Sequence, residues 1–145
     1  MKQNSNFICK NCSYKVRISK SYAIVNRNHC PKCLFSIHLD KEVAGDRQSS
    51  CWGLMKPIGL TFKKTKPNKY NKKTGELMLV QKCLKCNKIS LNRLASDDCY
   101  QELKKTFFNI KKISKQDRLK LNKHQIKLLD KKDFQEFRKQ ILGEP

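Results

Sequence analysis

Eight cysteines set largely in Cys-x-x-Cys pairs, period-two apolar alternation between them, and a change to helical periodicity after residue 99 predict a small α+β fold stapled by metal. The expected architecture is two packed zinc-ribbon-like β modules over residues 1–99, with a basic hairpin at 56–82. A short helical C-terminal extension follows over 100–145. Neither module could bury a sufficient core alone, so metal ligation is expected to supply folding energy on the order of 10 kcal/mol per site.

The first module has the plainer signature. Cys9 and Cys12, then seventeen residues, then Cys30 and Cys33 give the four thiolates of a structural zinc site. Between the pairs, Tyr14, Val16 and Ile18 alternate, followed by Tyr22 and Ile24, which reads as short strands between knuckles. Disulfides would require an oxidising compartment, and a redox dithiol would want a βαβ frame that the sequence lacks. Iron–sulfur ligation suits pairs separated by strands less well than zinc does.

The second module offers three thiolates, Cys51, Cys83 and Cys86, where structural zinc takes four ligands. Its frame is a hairpin with arms at 57–62 and 75–81, joined by a tip rich in Pro, Asn and Lys. Cys99 and His38 are both candidates for the fourth ligand. Spacing alone favours Cys99, because two sets of four then use every cysteine. Trp52, directly after Cys51, either stacks on a base or roofs the second metal, and packing is the expected role, since so small a core needs its large side chains.

After residue 99, Leu103, Phe107 and Ile110 fall at helical spacing. Ser114 with Asp117, Asn122 with Gln125, and Asp130 with Asp133 each have the form of a capping box opening a further short helix. Phe134, Phe137 and Ile141 make one apolar face.

Charge narrows the function classes. Lys and Arg number 33 against 12 Asp and Glu, a net charge of +21, which a polyanion would relieve. The hairpin is the densest segment: residues 56–82 carry 8 basic groups and 1 acidic, net +7. Lys63, Lys64, Lys66, Lys69, Lys72 and Lys73 crowd its tip around Tyr70, a composition suited to phosphates and a stacked base. The first ten residues lack an apolar signal core, and the run Leu77–Val80 is far too short to span a bilayer, so a cytoplasmic protein with no membrane role is expected.

The strings "NRNHCPKCLFSIHLD", "GDRQSSCWGLMKPIGL" and "QKCLKCNKISLNRLASDD" resemble the RNHCP-domain family, named for the letters at 27–31, over roughly residues 7–99. The resemblance implies zinc binding through Cys9, Cys12, Cys30, Cys33, Cys51, Cys83 and Cys86 together with His38, and supplies no established activity. The family pattern has Asn where this chain has Cys99, so the resemblance favours His38 as the fourth ligand.

The remaining polar residues divide between support and recognition. Asn28 and His29 are expected to support the second knuckle of the first site, while Arg27 faces outward, where its fork suits phosphate. Asp97 and Asp98 are expected to hold Arg47 and Arg93 or to cap turns. Asp46–Arg47 and Asn92–Arg93 then read as parts of one polar network between the metal sites. The functional expectation is a structured-RNA-binding protein with two Zn2+ ions and no chemistry, with rRNA and the ribosome as partner and no small-molecule substrate. One alternative is a transcription-associated, DNA-binding zinc ribbon. Another is a metal-dependent phosphodiesterase using His29, His38, Asp40, Asp46, Asp97 and Asp98, with an open position on its metal.

Overall fold

The computed structural model describes residues 6–17, 29–41, 48–64 and 75–143. Arg27, Asn28, Asp46, Arg47 and the hairpin-tip residues Lys66, Lys69, Tyr70, Lys72 and Lys73 lie outside the described residues, as do Ile18, Tyr22 and Ile24.

Two antiparallel sheets carry the metal-binding half. β1 (Phe7–Ile8) pairs with β2 (Lys15–Val16). The larger sheet has the order β3-β4-β5-β6, formed by Ser36–Ile37, Leu54–Lys63, Glu76–Cys83 and Ile89–Arg93. The predicted hairpin is therefore the β4–β5 pair, with Phe62 opposite Leu77 and Leu60 opposite Leu79. β5 is flanked on both sides, and Leu77 through Gln81 are all buried, which explains its nearly unbroken apolar run. Gly75 closes the base of the hairpin at φ +91°. A Cβ there would stand 2.5 Å from the Lys63 carbonyl oxygen.

Pro57 sits inside β4 without breaking it. β3 pairs only with Leu54 and Met55, so that edge of β4 needs no donor at 57, and the register shifts between Pro57 and Gly59. Further along, the chain from the tail covers β4. The Leu129 N–H donates to the Leu60 carbonyl at 2.8 Å, and the Thr61 hydroxyl donates to the Lys127 carbonyl at 2.6 Å.

Three helices follow, α1 (Tyr100–Phe108), α2 (Lys115–Lys123) and α3 (Phe134–Leu142). Two of the expected caps are present. The Asp117 N–H donates to the Ser114 hydroxyl, and Asp130 with Asp133 forms a reciprocal capping box over the 3-10 turn leading into α3. The third expectation fails. Asn122 and Gln125 open no helix: Gln125 takes φ +57° and ends α2, releasing 126–130 to run beside β4.

Among the described residues the larger of two buried clusters joins the four-stranded sheet to the helices, and a smaller one, Cys9, Val16 and Cys30, lies at the first metal module. Leu60, Leu77 and Leu79 of the sheet pack with Leu103 and Phe107 of α1, Leu129, and Phe137 of α3. Phe107 and Phe137 have ring centroids 4.7 Å apart, and Phe134 packs against both. Leu34, from the knuckle after Cys33, is fully buried in the same cluster and ties the first metal module to it.

Candidate metal centres

Three Cys-x-x-Cys segments fold into the same knuckle. In each, the first cysteine's carbonyl accepts from the N–H four residues on, and its own N–H donates to the carbonyl five residues on. The pairs are Ser13 and Tyr14 with Cys9, Leu34 and Phe35 with Cys30, and Asn87 and Lys88 with Cys83, all at 2.8–2.9 Å. The turn requires a left-handed residue after the second cysteine. Ser13, Leu34 and Asn87 supply it at φ +65°, +66° and +65°. This local turn turns N–H groups toward sulfur: Lys32 donates to Cys30 Sγ at 3.4 Å and Cys86 to Cys83 Sγ at 3.5 Å.

Two such knuckles face one another at the first centre. Cys9, Cys12, Cys30 and Cys33 bring their sulfurs within 4.8 Å of one another. Cys9 Sγ lies 3.5 Å from Cys33 Sγ, and Cys12 Sγ lies 3.6 Å from Cys30 Sγ. Four sulfurs about 2.3 Å from a central Zn2+ stand about 3.8 Å apart in a tetrahedron, whereas a disulfide requires about 2.05 Å. The spacing fits a metal and excludes cross-linking.

The second centre joins one knuckle to a different half. His38, Cys51, Cys83 and Cys86 converge within 4.8 Å. Cys51 Sγ is 3.6 Å from Cys83 Sγ, and Cys86 Sγ is 3.3 Å from His38 Nδ1. The two strand ends that carry His38 and Cys51 are clasped by main-chain bonds: His38 N–H to the Gly53 carbonyl at 2.8 Å, and Trp52 N–H to the His38 carbonyl at 3.2 Å. His38, and not Cys99, completes the second set of four candidate donors. Cys99 belongs to neither centre; it precedes α1, and its N–H donates to the Pro31 carbonyl at 2.8 Å. Together the two clusters are positioned to bind two zinc ions.

The thiols are electrostatically unequal without a metal. Burial raises Cys33 to about 11 and pushes Cys30 further up. At Cys12 burial is outweighed by the Tyr14 backbone and the neighbouring thiols, and its pKa is lowered. The second centre repeats the split. Burial opposes ionisation of Cys83, but the backbone of Cys86 and Lys85 prevails and lowers it; burial and the adjacent Cys83 hold Cys86 up. A bound Zn2+ supplies the positive charge that lets all the thiols ionise together. Burial lowers the His38 pKa, aided by the Lys88 charge and opposed by Asp40, which favours the neutral ring that a metal needs.

A model of the RNHCP domain matches residues 4–104. The chain belongs to the RNHCP-domain family. No curated protein and no solved structure matches it.

Within the RNHCP string, the described residues each have a structural task. His29 is fully buried, and its Nε2 lies 2.9 Å from both carboxylate oxygens of Asp98. Asp98 also accepts the Ala95 N–H at 2.8 Å. With Cys30 ligating and Pro31 accepting from Cys99, the second knuckle is fastened to the segment that leads into α1. His29 thus supports the knuckle, and Asp98 also caps the turn at 95–98, one of the two roles the sequence suggests for it. Arg93 instead reaches Glu76 at 2.8 Å on the surface. Asp97 sits beside Asp98 in the same turn, half-buried.

The internal polar network is centred on Gln81, which sequence reasoning missed. Its Oε1 accepts from the Ser36 hydroxyl at 2.9 Å and from the Asn92 amide, while its Nε2 donates to the Leu34 carbonyl at 2.8 Å. It therefore joins the first knuckle pair to the sheet that carries the second centre. Asn92 belongs to this network; Arg93 does not. Gly53 was missed as well. A Cβ there would lie 2.6 Å from Cys83 Sγ and 3.3 Å from Cys51 Sγ, so only glycine lets the two ligands approach. The signal available was its place two residues after Cys51.

Trp52 corrects an expectation. It is not packed into a core: the residue is 54 % exposed, with the backbone at φ +55°.

Proposed function

We propose that this RNHCP protein binds structured RNA through its phosphate backbone, using two zinc centres to hold a cationic surface in shape. The observation that carries this reading is the +21 net charge distributed over a metal-stapled fold. Lys63 and Lys64 are exposed where β4 leaves the sheet toward the lysine-rich tip, and Lys115, Lys123, Lys127 and Lys131 are exposed along the tail. Neutralising several phosphates releases condensed counterions, which rewards such a surface on RNA.

Both zinc centres support binding rather than turnover. Each has four protein donors, which complete a tetrahedral shell and leave no position for an activated water. The His29–Asp98 pair of the phosphodiesterase alternative is sealed in the interior, where substrate has no access. No described helix is long and apolar enough to cross a membrane, and the cysteines are free thiols, which suits a reducing cytoplasm. The ribosome is the favoured target, by analogy with other small basic zinc-stapled proteins.

The test is co-sedimentation with ribosomes and anisotropy titration of rRNA fragments against salt. Affinity should fall steeply as salt rises, with a log–log slope near −0.7 to −0.9 per neutralised phosphate. Charge reversal of Lys63, Lys64, Lys66 and Lys69 should weaken binding and flatten that slope with both zinc ions retained. Unchanged affinity would remove the hairpin from the interface, and absence of RNA binding in any form would refute the reading.

A further inference from the structure

The second zinc centre displays a large aromatic that is only half covered by the fold. Trp52 lies between the ligand Cys51 and the sterically required Gly53. Its backbone is fixed from three sides: its N–H on the His38 carbonyl, the Gly53 carbonyl on the His38 N–H, and the Cys51 carbonyl on Lys85 Nζ at 3.0 Å. A bulky side chain at positive φ is a conformational outlier and raises the energy of the folded state. That backbone points the chain's one tryptophan toward solvent, in a protein short of core. Burial would have been the stabilising choice.

The surroundings specify a ligand chemistry. Leu84, the first residue after the ligand Cys83, is also 52 % exposed. Lys85 and Lys88 are exposed in the same knuckle, and each ammonium uses one donor on a main-chain carbonyl and keeps others available. Tyr14, the exposed aromatic beside the first centre, already has the Lys32 ammonium over its ring at 5.0 Å. Trp52 has no ring or cation contact among the described residues. An exposed indole on a fixed backbone, with Lys85 on the adjoining Cys51 carbonyl and Lys88 in the same knuckle, on a chain of net charge +21, matches an unpaired base with its adjoining phosphate.

We propose that Trp52 is the stacking platform for an unpaired nucleobase, with Lys85 and Lys88 on the flanking phosphates. This rests on the RNA-binding reading above and adds to it a preference for single-stranded or extruded nucleotides at the second zinc centre. The lysine-rich hairpin would engage backbone irrespective of strandedness, and Trp52 would report the strand that is open.

The single tryptophan makes the test direct. The zinc-loaded chain is titrated with a short single-stranded oligoribonucleotide and with a blunt RNA duplex, reading anisotropy for binding and indole emission for stacking. The single strand should quench Trp52 emission at the concentrations where it binds, and the duplex should bind with little quenching. Trp52→Ala should weaken the single strand at least about fivefold, leave the duplex nearly unchanged, and retain both zinc ions. Binding of the single strand with unaltered emission would overturn this proposal while leaving the RNA-binding reading intact. Absence of anisotropy change with either RNA would overturn both. Emission that ignores oligonucleotide but shifts with protein concentration would assign Trp52 to contact between copies and equally overturn it.

Discussion

Replacing Gly53 by alanine is a one-carbon change with a sharply local consequence. The added Cβ would sit 2.6 Å from Cys83 Sγ, 2.6 Å from Lys85 Cβ and 3.3 Å from Cys51 Sγ. Carbon and sulfur normally rest nearly 4 Å apart, so relief requires a shift of about 1 Å, and zinc–ligand distances tolerate only about 0.2 Å. Neither collision partner can give way cheaply: Cys83 is fully buried, and Lys85 Cβ is fixed to its own backbone. Overpacking of this kind costs about 1–3 kcal/mol. Charged against the metal alone, that is roughly a 5- to 150-fold weaker second zinc site, since 1.4 kcal/mol is a factor of ten. Titration with a chromophoric chelator should show one zinc of the two leaving at correspondingly lower chelator. Gly59→Ala is the control, because its Cβ meets only the flexible end of Leu128 at 2.7 Å, far from any ligand. If both zinc ions of Gly53→Ala resist chelator as in the parent, or if Gly59→Ala loosens zinc equally, the packing argument is wrong.

Four further outcomes follow from the same structure. His38→Ala should leave one tightly held zinc per chain by elemental analysis, whereas Cys99→Ser should keep two. Because folding lowers the His38 pKa below its ordinary 6.5, the metal-free fold is favoured fully above that value and loses this contribution as pH falls through the folded pKa. Protonation also removes the Nδ1 ligand and the thiolates, so zinc should be released from both centres on acidification, which competition titrations from pH 7.5 to 5.0 would show. The thiol Cys33, raised to about 11, works in the opposite direction: in the metal-free chain its contribution is complete below the ordinary value of 9.0 and is lost as pH climbs toward 11. Asp98→Ala should lower stability by roughly 1.5–3 kcal/mol, read as a shift of the urea midpoint, because it strands the buried His29 ring. An unchanged midpoint would mean that the pair does not hold the knuckle.

Which features were legible in the sequence follows from how far apart their parts lie. The three knuckles, and the caps at Ser114–Asp117 and Asp130–Asp133, are made of residues within five positions of one another. Their spacing alone identifies them. The same local rule misleads at Asn122–Gln125. There the main chain gains more from lying along β4, with Leu129 bonded to Leu60, than from another turn of helix.

The sequence by itself determined that two metals, a lysine-laden hairpin and a helical tail would share this chain, because thiolate pairs, charge and capping residues act over a few positions. Only the tertiary structure decided between His38 and Cys99, 48 and 13 residues from Cys86, by bringing the imidazole to the sulfur and placing Cys99 at the start of α1. It likewise paired His29 with Asp98 across 69 residues, put Gln81 at the junction of the two modules, and turned Trp52 outward. Such contacts depend on which surfaces the sheet and helices bring together, and no spacing along the chain encodes that.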